Sequence, residues 1–161
     1  MPEAVSNTSP FQYLFQLDLI GLLPRFYGKV VVPQAVADEL TEGRRNGIVL
    51  PDLAGLPWVE IRSVGTANAL PLAADLGAGE REALILAAGL PEAILIIDDA
   101  LGRRYAALHG LRVTGTLGVI LRAKREGHLP SVKPVLDRLD ELRFRVDPAT
   151  RVSVLRIAGE T

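Results

Sequence analysis

At 161 residues, 48% hydrophobic and with a mean hydropathy of +0.24, the chain has the length of one domain and enough apolar surface to bury an ordinary core. The absence of cysteine excludes disulfides and thiolate metal sites, and two histidines, His109 and His128, are too few for a histidine-based zinc site, so any metal would be held by oxygen. A formal net charge of −1 excludes an overall attraction to nucleic acid and leaves phosphate binding to local clusters such as Arg103 with Arg104, or Arg122 with Lys124 and Arg125, each of which alone reads first as a solvated helix face.

The amino terminus lacks the basic region and long apolar core of a signal peptide, and the longest apolar stretches are broken by Pro91, Glu92 and glycines; a cytoplasmic protein without a membrane partner is expected. Residues 3–6 (EAVS) form the first β-rich run, and Ser9 before Pro10 offers a cap and a first-turn proline for the helix that follows. The second run, 29–32 (KVVV), ends at Val32-Pro33, which opens a helix carrying Val36 and Leu40. Residues 42–57 are turn-rich and ambiguous, and lead into the third run, 57–62 (PWVEIR). A helix over 79–89 precedes 93–97 (AILII), a run that is apolar throughout rather than alternating, as expected of a central strand covered on both faces. A helix over 99–109 and a fifth strand over 111–114 (LRVT) follow. Three more helical patterns, about 116–126, 131–142 and 149–158, either pack on the sheet or form a dimer surface. Gly43, Gly89, Gly110 and Gly127 fall where helices should stop. The alternation predicts an α/β fold with a mainly parallel sheet, in a single domain over 1–161 with a core over 1–127 and a C-terminal helical extension over 128–161.

In an open parallel sheet, ligands bind beyond the carboxyl ends of the strands, near the point where strand order reverses. Asn7, Thr8 and Ser9 follow the first strand, Asp98 and Asp99 the fourth, and Thr114 and Thr116 stand at the fifth. If strands one and four are neighbours, these side chains share a crevice that Glu39 and Glu80 can reach from their helices. Crowded carboxylates repel unless a cation neutralises them, which points to Mg²⁺ or Mn²⁺ and to a metal-activated water acting on a phosphate. Simpler roles compete. Glu80 near a helix start also suits the macrodipole, Asp98 could cap helix 99–109, and Asp99 either supports the site or faces solvent. His109 reads as a helix-end residue, and Trp58 and Tyr105 as packing residues. Paired acids after a strand also occur in phospho-acceptor receivers, but there the pair follows the first strand and a lysine follows the last, whereas no lysine occurs here after VTGT until Lys124.

The segments VSNTSP, VVVPQAVADEL, LGAGEREALILA, LIIDDALGRRYA and LRVTGTLGVILRAKREG resemble, in that order, the PIN-domain proteins, and specifically the branch catalogued as domain of unknown function 3368. The likeness runs on through LDRL and VLRIAGE and so covers nearly the whole chain. It implies a three-layer α/β/α, VapC-like ribonuclease fold with about five mainly parallel strands in order 3-2-1-4-5, extra C-terminal helices, and metal-dependent endoribonuclease activity. It also implies an RNA substrate and, since many relatives are toxins of toxin–antitoxin pairs, a small antitoxin partner. Matched residue by residue, the catalytic and metal-holding set is Asn7, Glu39, Glu80 and Asp98, with Thr114 and Thr116 near a further polar position of the family. Asp99 and Ser9 stand beside this set, and Arg103, Arg104 and Arg122 are the candidates for gripping the nucleic acid. Asn7 departs from the family's acid after strand one: its amide oxygen can coordinate a cation but brings no charge, so a weaker site, or a PIN-like module that binds RNA or protein without cutting, is the alternative.

Overall fold

The computed structural model describes residues 3–65 and 75–160. Five strands, β1 (Ala4–Ser6), β2 (Val30–Pro33), β3 (Val59–Arg62), β4 (Ile94–Ile96) and β5 (Arg112–Thr114), form one sheet in the order β3-β2-β1-β4-β5, with every pair parallel. All five expected strands are present, and so is the 3-2-1-4-5 order.

The strands are buried on both faces because successive side chains point to opposite sides. Ala4, Val30, Val32 and Ile96 enter one core, while Val5, Val31, Leu95 and Ile97 enter the other. The first core is covered by α1 (Thr8–Gln16), α2 (Leu22–Tyr27), α3 (Gln34–Arg45) and α6 (Thr116–Arg125), and it extends into α7 (Lys133–Glu141) and α8 (Pro148–Ile157) through Val132, Leu136, Leu139 and Val154. The second is smaller and is closed by α4 (Ala78–Ala88) and α5 (Ala100–Leu108) through Ala83, Leu84, Ala87 and Ala106. The last two helices therefore pack into the main core. Glu160, just past α8, accepts from Ser131 Oγ, from the backbone amides of Val132 and Lys133 and from Lys124 Nζ, which holds its carboxyl down to about 2 and ties the end of α8 to the start of α7.

Two local expectations are corrected. Helix α1 begins at Thr8 rather than at Pro10; the residue at its cap position is Asn7, whose side chain makes no capping bond, and Ser9 points elsewhere. Gly43 does not end α3, which runs on to Arg45; it admits Leu50, whose methyl group would collide with a Cβ there. The ambiguous segment contains a single 3₁₀ turn at Leu53–Gly55, capped by Asp52. Trp58 packs as expected, stacking on Phe11 with ring centroids 5.9 Å apart, and Tyr105 packs against the smaller core.

Candidate active site

Register fixes which residues meet. Ser6, Ile96 and Thr114 lie level across β1, β4 and β5, the Asn7 amide donates to the Ile96 carbonyl at 3.0 Å, and the Ile97 amide donates to the Thr114 carbonyl at 2.8 Å. Residues 7, 97 and 115 therefore stand level just past the carboxyl edge, and Asp98 follows one residue beyond. Between β1 and β4 the strand order reverses, which is where α/β sheets open a crevice.

The first turn of α1 joins the two sides of this crevice. Thr8 Oγ1 donates to Glu39 Oε2, and the next residue, Ser9, donates from Oγ to Asp98 Oδ2 at 2.9 Å. Asp98 also accepts from the Thr116 amide at Oδ1 and the Thr116 hydroxyl at Oδ2, both at 2.7 Å, with Thr116 fully buried beneath it. Gly115 makes room for this: a Cβ there would lie 2.6 Å from Asp98 Oδ1 and 2.9 Å from Arg103 Nη1. Asp98 is not the helix cap. Asp99 takes that role, accepting from the Gly102 amide at 2.7 Å, and Asp98 is left turned toward α1 and α6.

Glu39 and Glu80 come together on the other side. Glu39 Oε1 accepts from the Gly79 amide at 3.1 Å, in the first turn of α4, and the space above Gly79 is so close to the Glu39 carboxylate that a Cβ would lie 2.7 Å from Oε1. Reciprocally, Glu82 of α4 accepts from the Ala35 amide at the start of α3 at 3.0 Å. Each helix thus supplies a carboxylate to the positive end of the other, an arrangement favoured by the unsatisfied amides and dipole there. Burial raises the Glu80 pKa; its own backbone amide lowers it, and the Glu39 and Asp99 carboxylates add to the rise. Glu80 therefore senses two further acids.

Among the described residues no group of three or more His, Cys, Asp or Glu side chains is set to hold a metal ion. The donors nevertheless suit a hard divalent cation. The side-chain oxygen of Asn7 is buried, with the residue 4% exposed, and has no hydrogen-bond partner, while Glu80 and its acidic neighbours carry like charge that a cation would relieve. Thr114 sits at the end of β5 with its hydroxyl under Gly118. Arg103 and Arg104 are exposed on α5, and Arg103 Nη1 donates to the Ile97 carbonyl at 3.0 Å. Arg122 is not brought to the crevice. It lies six residues along α6 from Thr116, about 9 Å of helical rise away, with its guanidinium paired to Glu126 and lying 4.3 Å over the Phe26 ring. Gly79, Glu82 and Gly115 were not singled out from sequence, and Thr8 was placed at the crevice only by its position after the first strand.

The family model of domain of unknown function 3368, a PIN domain, matches residues 3–160. The chain belongs to the PIN-domain family. A solved structure of a PilT N-terminus domain protein from the hyperthermophilic archaeon Sulfolobus solfataricus superposes with a TM-score of 0.54 at 21% identity, over 73% of this chain and 89% of that one, and shows the same fold. No curated protein matches the chain significantly. PIN-domain proteins are generally nucleases that depend on divalent metal, and this chain has the PIN sheet and helices. No helix among its described residues is long and apolar enough to cross a membrane.

Proposed function

We propose that this PIN domain is a metal-dependent endoribonuclease that hydrolyses phosphodiester bonds of single-stranded RNA in the crevice between β1 and β4. The observation that carries the reading is the clip formed by residues 7–9: an unpartnered buried amide oxygen on Asn7, flanked by hydroxyls that hold Glu39 on one side and Asp98 on the other. Glu39, Glu80, Asp98 and Asn7 would hold Mg²⁺ or Mn²⁺. Such an ion supplies an activated water and neutralises charge on the scissile phosphate. Ser9 and Thr116 fix the Asp98 carboxylate so that no reorganisation is needed when substrate arrives, and Thr8 does the same for Glu39. Burial, with the Glu39 and Asp99 carboxylates nearby, raises the Glu80 pKa, so Glu80 holds a proton more readily than an ordinary carboxyl.

The experiment is cleavage of labelled single-stranded RNA with Mn²⁺ or Mg²⁺ against a chelator control, using wild type, Asp98→Asn and Glu80→Gln. Loss of cleavage in both variants is expected, and turnover at the wild-type rate in either removes that carboxylate from the chemistry. Asn7→Asp should raise activity by restoring the charge its position lacks. A toxin role with a small antitoxin partner extends this reading; a short adjacent reading frame whose product binds the chain and blocks cleavage tests it.

A second reading is favoured by the neutral Asn7 and by the full engagement of Asp98 with three donors: a PIN module that binds RNA or protein without turnover. RNA binding without cleavage at saturating Mn²⁺, measured by calorimetry and a nuclease assay together, would select it.

A further inference from the structure

A cavity of about 570 Å³ lies between the β4 and β5 ends and the turn between α7 and α8, with Asp98 among its lining residues. Asp98, Arg103 and Gly115 line it from the sheet side of the chain, and Phe144 and Arg145 line it from the turn after α7. The volume falls within the roughly 300–1,000 Å³ of clefts that hold small-ligand-sized groups, which suits one or two unstacked nucleotides and excludes a duplex.

Its charges are unevenly satisfied. The carboxylates that line it are filled: Asp98 by Ser9 and Thr116, and Asp147 by the amide and hydroxyl of Thr150, which it caps at the start of α8. The guanidinium groups are not. Arg103 spends one N–H on the Ile97 carbonyl, Arg145 is exposed, and neither forms an ion pair among the described residues. Two unpaired cations beside filled carboxylates attract an anion, and a planar guanidinium matches phosphate oxygens. Phe144 meets Tyr13 edge-on, with centroids 4.8 Å apart and planes at 77°, and lines the same cavity as these cations. Cation plus aromatic is the pairing that single-stranded nucleic acid uses, with phosphate held by charge and base by stacking.

We infer that this cleft is a nucleotide subsite: Arg103 and Arg145 hold the phosphate next to the scissile one, and Phe144 receives its base. The inference rests on reading the neighbouring acid crevice as the nuclease centre. It makes the α7–α8 turn part of the substrate surface, so that the C-terminal helices contribute to recognition as well as to the core.

The test is fluorescence anisotropy of a short labelled oligouridine with the full chain in EDTA, so that binding is read without cleavage, over a series of salt concentrations. Arg145→Ala and Phe144→Leu are each expected to weaken binding roughly 5- to 10-fold, with the Arg145→Ala variant also lowering the salt slope by about one. Lys29→Ala, just before β2 at the amino edge of the sheet and paired with Glu60, serves as the control and should leave affinity unchanged. Wild-type affinity in Arg145→Ala and Phe144→Leu overturns the subsite, as does an absence of binding by the wild type or displacement of the oligonucleotide equally well by polyglutamate. Binding with the expected losses but no cleavage when Mn²⁺ is supplied would instead remove the nuclease reading and leave the subsite standing.

Discussion

The two sides of the crevice are built on different principles. On the β4–β5 side, Asp98 has both oxygens filled by donors from α1 and α6, with the fully buried Thr116 beneath it. On the α3–α4 side, Glu39 and Glu80 lie near one another with like charge, over glycines at 77 and 79 whose missing Cβ atoms leave room for their carboxylates. Asp98 is satisfied by the protein itself, whereas Glu39, although both its oxygens accept from Thr8 and Gly79, remains in like-charge conflict with Glu80 that a cation would resolve. Rigid preorganisation and tolerated repulsion thus share one site, and each half predicts a different response to mutation.

The largest effect belongs to the satisfied half. Asp98→Ala strands the Ser9 hydroxyl and both donors of Thr116 and should cost roughly 3 kcal/mol of stability, a fall in Tm of about 10 °C for a chain of this size. A circular-dichroism melt that moves by less than two degrees would show that this side is no more rigid than the other. Next comes Gly79→Ala, whose Cβ would stand 2.7 Å from Glu39 Oε1. The added methyl should displace that carboxylate and weaken Mn²⁺ binding about 10-fold by calorimetry, while the melting temperature holds or rises because Ala favours the helix. A fall in both would mean that the glycine serves packing instead. Glu82→Ala removes the acceptor for the Ala35 amide and should cost about 1 kcal/mol; Glu82→Gln, which keeps an acceptor, should recover most of it.

The smallest effect sharpens the contrast through pH. Burial and two acidic neighbours raise the Glu80 pKa above its ordinary 4.5. A carboxyl raised on folding carries no penalty while it is protonated in both states, below 4.5, and destabilises increasingly as pH climbs from there through the folded pKa. In chelator, Glu80→Gln should therefore raise Tm by about 2 °C at pH 7.5, with the gain vanishing below pH 4.5. A gain that persists in acid would locate the effect in packing rather than charge.

The fold was legible because the runs VVV and AILII are apolar throughout, and only a sheet covered on both faces needs that pattern. The strand order was a different matter: periodicity says nothing about which strands pair, and it came from the family resemblance. At the site, Asn7, Glu39, Glu80 and Asp98 were identifiable as oxygen donors at strand and helix ends, but their partners were not. Asp98 and Asp99 are chemically identical neighbours, and only backbone geometry decides that Asp99 caps α5 while its predecessor turns to Ser9 and Thr116. Arg122 lies away from the crevice for a similar reason, since Glu126 one helical turn on and the Phe26 ring engage it, and the second of these is a tertiary contact invisible in the linear chain. Phe144 and Arg145 lie in a short turn with no pattern of their own, and become noticeable only when folding sets them opposite Arg103.

The bond set around Glu160 reaches further than its position near the end of the described chain suggests. By bracing the open end of the α7–α8 hairpin, a single carboxylate governs how firmly the opposite tip, carrying Phe144 and Arg145, is presented beside the sheet. Because that carboxyl keeps its charge down to a pH of about 2, the brace outlasts the negative charge of Glu80, whose pKa is raised above 4.5, so acid alters the floor of the crevice before it loosens the rim.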